Sequence, residues 1–79
     1  MENIKVQDNL DAYETNIINV IKEVSNTLEE KGYNSLEQLV GYLMSGDPGY
    51  ISSYKGARQK IVKLDRTCIL ELLVKGIIK

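Results

Sequence analysis

The stretch LVGYLMSGDPGYISSYKGAR, Leu39 to Arg58, decides how this chain folds. It opens on an apolar pattern at helical spacing, passes through Gly46-Asp47-Pro48-Gly49, and closes on bases. Proline forbids continuation of a helix and glycine accepts a positive φ, so the centre reads as a turn joining two helices. The same four residues make a poor phosphate cradle. They lack the lysine and Ser/Thr ending of a nucleotide P-loop, and Pro48 removes an amide that such a loop would donate. Tyr50 and Ile51 are apolar residues inside the connection, which predicts that it folds back and packs.

Upstream, Asp11-Ala-Tyr-Glu14 has capping-box spacing, and Tyr13, Ile17, Val20, Ile21, Val24 and Leu28 form one apolar stripe at three-to-four spacing. Gly32 stands where a left-handed C-terminal cap is wanted. These signals predict a first helix over about 11–31. Asn34 and Glu37 repeat the capping pattern for a second helix with a buried stripe of Leu36, Leu39, Val40, Leu43 and Met44, ending at Ser45-Gly46. Downstream, Tyr54, Ala57, Ile61 and Leu64 predict a third helix beginning near Ser52 or Ser53. Asp65 is placed to cap a fourth over about 66–78. No run alternates with a strand's period. The expected architecture is all-α, a compact four-helix domain of helix-loop-helix kind over 11–79, with residues 1–10 as a mobile arm.

The fourth helix breaks the usual pattern. Thr67, Glu71, Lys75 and Lys79, each four apart, form one narrow polar strip, and apolar residues cover nearly everything else. A surface helix needs a single apolar face. A chain of 79 residues cannot enclose one of its own helices on every side. Ile69, Leu70, Leu73, Val74 and Ile77 are therefore expected to form a homodimer interface.

Composition narrows the chemistry. With one cysteine, Cys68, and no histidine, the chain can form no internal disulfide, no Cys-His or Ser-His pair and no ordinary zinc site. Neither a catalytic residue nor a cofactor is expected. Cys68 has no activating base close in sequence, so inert burial is its default. No apolar run is long enough to span a membrane and the opening residues do not read as a signal peptide, so a cytoplasmic location is expected. Charge is unevenly distributed. Residues 1–47 carry nine acids and three bases, and residues 48–79 carry seven bases and two acids, which gives −6 and +5. The imbalance fits either complementarity within the protein or a charged partner. Lys55, Arg58, Lys60, Lys63 and Arg66 could read phosphates from a helix-turn-helix, but the Gly-Asp-Pro connection is longer than that motif's turn. A pI near 5.3 also runs against a nucleic-acid binder. The five tyrosines, the only aromatics, could stack bases, yet their helical spacing beside apolar residues points to core or interface.

The segment from Thr27 to Arg66 resembles the IreB (or ReoM) family of small Gram-positive regulatory proteins. The likeness rests on LEEKGYN, QLVGYL, SGDPGYI, Ala57-Arg58 and Asp65-Arg66, and continues more loosely through Lys75. It implies a non-enzymatic, cytosolic, helical homodimer that acts in cell-envelope stress control. It further implies phosphorylation by a membrane Ser/Thr kinase with extracellular PASTA repeats, and a link to peptidoglycan synthesis, in some members through proteolysis of a committed wall enzyme. On that reading Lys55, Arg58, Lys63 and Arg66 form a face for protein partners. The alternative is a nucleic-acid binder using the same face. Mixed dimers with another family member through the fourth helix are a third possibility. The family's phosphoacceptor threonines lie in an N-terminal arm; here the comparable stretch is Glu2-Asn3-Ile4-Lys5-Val6, with Asn3 where a threonine is expected. No Ser or Thr precedes Thr15, so no phosphorylation site carries over.

Overall fold

Asp11 starts the first helix as its sequence spacing requires. Its Oδ1 accepts from the Glu14 amide at 2.7 Å, and Glu14 Oε1 accepts from the Asp11 amide at 3.2 Å, so two amides that the helix cannot pair are satisfied. The computed structural model describes residues 10–78, and the expected arm over 1–10 falls almost wholly outside them. From this cap α1 runs Ala12–Glu30 and buries Ile17, Val24 and Leu28, with Val20 and Ile21 packed beside them. It ends in a Schellman motif: Gly32 at φ +90 lets the amides of Gly32 and Tyr33 reach the carbonyls of Glu29 and Leu28.

Asn34 caps α2 (Ser35–Ser45) by accepting from the Glu37 amide at 3.0 Å. The helix turns back onto α1, and its rotation is set at this corner by polar groups. Buried Ser35 donates its hydroxyl to Glu29 Oε2 at 2.8 Å and lies 2.9 Å from the Ser25 hydroxyl. With Ser35 inward, helical spacing brings Leu39, Tyr42 and Leu43 to the core. The expected buried stripe is corrected here. Leu36, Val40 and Met44 lie on another side of the helix and are 71%, 44% and 81% exposed. α2 is apolar around more than one face, and sequence spacing alone favoured the larger set.

The connection packs as its apolar residues predict. Asp47 Oδ1 accepts from the Gly49 amide at 2.8 Å, which shapes a 3-10 turn over Pro48–Tyr50. The Tyr50 ring then lies against α2 at Gly41, where a Cβ would overlap the ring. Ile51 is fully buried, and Gln38 accepts from the Ser52 amide at 2.9 Å.

The third helix is shorter than its sequence stripe suggests. A 3-10 turn over Tyr54–Gly56 contains two successive left-handed residues, Lys55 at φ 48 and Gly56 at φ 76, and only then does α3 run, Ala57–Ile61. Left-handed geometry cannot belong to a right-handed helix, so the expected start at Ser52 or Ser53 moves to Ala57. Ala57, Ile61 and Leu64 still enter the core, while Tyr54 is half-buried. Asp65 accepts from the Thr67 amide at 2.8 Å and opens α4, Arg66–Ile78. The fold is all-helical, with four α-helices and no strand among the described residues.

Ile51 tests whether the connection belongs to the core. Ile51→Ala should lower unfolding free energy by about 2–5 kcal/mol, the cost of emptying a closed apolar site. Urea unfolding followed by circular dichroism measures it; a cost under about 0.5 kcal/mol, the range for surface positions, would show that the loop is not part of the core.

Candidate interaction surfaces

The uneven charge of the two halves is matched within the chain. Carboxylates along α1 meet lysines from the basic half: Glu14 with Lys75 at 2.8 Å, Glu23 with Lys60, and Glu30 with Lys55 at 3.0 Å. Glu30 raises the Lys55 pKa and Glu14 raises that of Lys75, each first through the direct hydrogen bond. The Lys55 and Lys60 pairs lie in solvent and orient the segments more than they stabilise them, while the Lys75–Glu14 pair is partly buried. Lys31 and Lys55 also place their ammonium groups 5.3 and 5.5 Å from the centre of the Tyr54 ring.

The four bases expected to meet protein partners serve different ends of the fold. Lys55 is tied to Glu30 near the start of α2. Arg58 donates its Nε to the Ile51 carbonyl at 2.8 Å and holds the connection in place. Arg66 reaches the other end of α2, where Nη1 donates to the Leu43 carbonyl at 2.7 Å. A cation there also faces the negative end of the helix dipole. The Arg66 guanidinium lies over Gly46, where a Cβ would come within 2.7 Å of it. Lys63 is exposed and makes no ion pair among the described residues. The sequence showed the basic segment but not this anchoring by two arginines, which depends on carbonyls distant in the chain.

The residues expected on a self-association face divide. Ile69 is 2% exposed and packs in the chain's own core. Leu70, Leu73, Val74 and Ile77 are 42%, 52%, 54% and 82% exposed, with Ile78 beside them. Among the helix's other residues, Cys68 and Leu72 touch the core. The exposed stripe on α2 is a second apolar surface, with Tyr50 alongside. Tyr13, Tyr33 and Tyr50 are about half-exposed, so Tyr13 does not join the buried stripe of α1 expected from its spacing, and Tyr42 alone among the five tyrosines is buried.

One polar site lies between α1 and α4. The Tyr13 hydroxyl is held above its ordinary pKa chiefly by its hydrogen bond with the Cys68 thiol, with partial burial adding to the effect. At the α1–α2 corner, the Ser35 hydroxyl and then the Ser35 amide hold Glu29 below the ordinary carboxylate value. Among the described residues no group of three or more His, Cys, Asp or Glu is placed to hold a metal ion, and no helix is long and apolar enough to cross a membrane.

Broad apolar helix faces, and dispersed charges of which three pairs tie the basic half to α1, define a small helical domain. The chain belongs to the IreB family: the family model described as IreB regulatory phosphoprotein matches residues 3–79. That match extends on both sides of the Thr27–Arg66 stretch that carries the resemblance in sequence.

Glu29 gives this corner a pH signature with a definite sign. Because its folded pKa is lowered, its stabilisation is fully present above the ordinary value of 4.5 and is lost as pH falls through the lower folded value. Glu29→Gln should therefore melt below the unaltered protein at neutral pH, and the gap should close in acid. Thermal unfolding across a pH series reads this; a gap unchanged in strong acid would mean that the carboxylate charge is not what holds Ser35.

Proposed function

We propose that this chain is a non-enzymatic, cytoplasmic regulatory protein that acts as a homodimer through protein–protein contacts. We place it in a cell-envelope stress pathway linked to a PASTA-type Ser/Thr kinase. The observation that carries the reading is membership of a family of regulatory phosphoproteins over essentially the whole chain. The exposed face of α4 supports self-association, since a patch of large apolar side chains on so small a domain marks a binding surface. The region of Lys55, Arg58, Lys63 and Arg66 is the proposed face for envelope-pathway or proteolysis partners. Lys63 and the outer part of Lys55 supply accessible charge, and the two arginines hold the adjoining backbone in shape. Reading nucleic-acid phosphates with this face has less support, because Lys55 and Lys60 already hold carboxylates and both arginines hold carbonyls.

Two measurements test the two halves of this reading. Incubation with a PASTA-type kinase and ATP, followed by intact-mass and residue-level mass spectrometry, should add phosphate to this chain. No addition by a kinase that phosphorylates another family member would remove the kinase link and leave a constitutive binder. Self-association is tested by Leu73→Asp. Leu73 is half-exposed within the chain, so the variant should fold, yet a carboxylate buried without a partner at an interface costs several kcal/mol. Sedimentation equilibrium should show the unaltered protein as a dimer and the variant as a monomer. A dimeric variant would move the interface away from α4.

A further inference from the structure

The chain contains eight serines and threonines, and three of them, Ser45, Ser53 and Thr67, are exposed. We propose that Ser53 is the phosphoacceptor of this chain and that its phosphate draws Lys55 away from Glu30. The inference rests on the kinase link proposed above and names the residue that the kinase modifies.

Three observations single out Ser53. The first is the hydroxyl itself. Ser45 donates to the Gly41 carbonyl and accepts from the Asp47 amide, so a phosphate there would remove a bond that closes α2. The hydroxyl of Ser53 holds no hydrogen bond among the described residues. Its neighbour Ser52 is half-buried and accepts from the Tyr54 amide at 3.1 Å. The second observation is the backbone. An acceptor enters a kinase cleft together with its neighbours, so a residue inside a helix requires that turn to open first. Ser45 is the last residue of α2, and Thr67 lies in the first turn of α4 with its amide bonded to Asp65. Ser53 belongs to no helix: it stands between the 3-10 turns Pro48–Tyr50 and Tyr54–Gly56. The third is charge. Residues 48–64 carry four bases and no acid, whereas Ser45 and Thr67 each lie two residues from an aspartate. The ammonium groups of Lys31 and Lys55 stand 5.3 and 5.5 Å from the ring centre of Tyr54, the residue after Ser53. Glu30 holds Lys55 only through an exposed pair, and a phosphate of nearly two charges is the stronger competitor for that lysine.

The transfer needs nothing beyond the kinase and ATP. The Ser53 Oγ–phosphorus bond forms as the bond from the γ-phosphorus to the bridging oxygen breaks, ADP leaves, and the hydroxyl proton passes to the kinase's catalytic base. The four positive charges of residues 48–64 then fall to a net of about two. Phosphorylation thereby alters the face proposed for protein partners at Lys55, one of its two accessible bases.

The test uses the full chain, ATP and a PASTA-type kinase active on another family member. The unaltered protein, Ser53→Ala and Thr67→Ala are treated alike and read by intact mass and residue-level fragmentation. Both substitutions fall at exposed hydroxyls without hydrogen bonds, so both variants should keep the helical circular dichroism of the unaltered protein. Phosphate should appear on the unaltered chain and on Thr67→Ala, map to Ser53, and be lost in Ser53→Ala. Phosphate mapped to another residue and undiminished in Ser53→Ala would overturn the proposal and leave the kinase link standing. No phosphate on any of the three would remove the kinase link, and the proposal with it. Phosphorus NMR across a pH series reads the part given to Lys55. The second ionisation of a phosphoserine ordinarily falls at about 6, and adjoining ammonium groups lower it by favouring the dianion. It should lie lower in the phosphorylated protein and rise in Lys55→Gln. A value unmoved by Lys55→Gln would show that the phosphate does not draw Lys55.

Discussion

The inward face of α1 is the surface against which the rest of the chain folds. Ile17, Val24 and Leu28 are nearly or wholly buried, and α2, the Tyr54–Gly56 turn and α3 all rest against this helix. The opposite demand, water for the carboxylates, is met by the same helix, because Glu14, Glu23 and Glu30 project where they can reach Lys75, Lys60 and Lys55. Hydrophobic burial supplies the driving force, and the two solvent-exposed pairs, those of Glu23 and Glu30, add orientation more than energy. A long helix with a clear stripe thereby sets the places of segments too short or too polar to hold themselves.

The same economy explains the bare surfaces. One long helix can offer only one continuous apolar face, and α2, Ile51 and α3 take it up. α4 comes last in the chain and secures a place through Ile69, with Cys68 and Leu72 at the margin, so its remaining apolar residues are left half-exposed or more among the described residues. α2 has the complementary difficulty. Ser35 must face Glu29 and Ser25, and that rotation turns Leu36, Val40 and Met44 away from the core. Seating this polar corner with its partners in place therefore leaves an apolar stripe outside.

What the sequence disclosed follows from how local each signal is. The cap of α1, its Gly32 stop, the turn at Pro48 and the boundaries of α4 all depend on residues within a few positions of each other, and all are found where expected. The buried side of α2 was not legible, because it depends on Ser35 meeting Glu29 and Ser25 across a corner. The start of α3 was hidden for another reason: Lys55 is an ordinary helix former by type, and only the fold places it at φ 48. At the candidate surfaces, the apolar excess of α4 was plain from composition along the helix. The anchoring roles of Arg58 and Arg66 were not, since a carbonyl acceptor leaves no mark in sequence.

Membership of a phosphoprotein family gives the hydroxyl groups of the folded domain a particular interest, because no Ser or Thr precedes Thr15. Most of those hydroxyls are already committed. Ser25 and Ser35 bond each other at the Glu29 corner, Thr27 donates to the Glu23 carbonyl, Ser45 donates to the Gly41 carbonyl, and Ser52 accepts from the Tyr54 amide. A phosphate on Ser35 would stand beside the Glu29 carboxylate in a part-buried corner, where like charges repel. Ser53 and Thr67 differ: both are exposed, and neither hydroxyl holds a bond among the described residues. Ser53 lies two residues from Lys55, whose ammonium already serves Glu30 and the Tyr54 ring. Thr67 follows Arg66 in the first turn of α4, where the helix dipole favours negative charge, but Asp65 and Glu71 stand close in sequence. At Ser53 an added phosphate would compete with Glu30 for Lys55 and so redistribute an existing ion pair, whereas at Thr67 it would compete with the Leu43 carbonyl for Arg66.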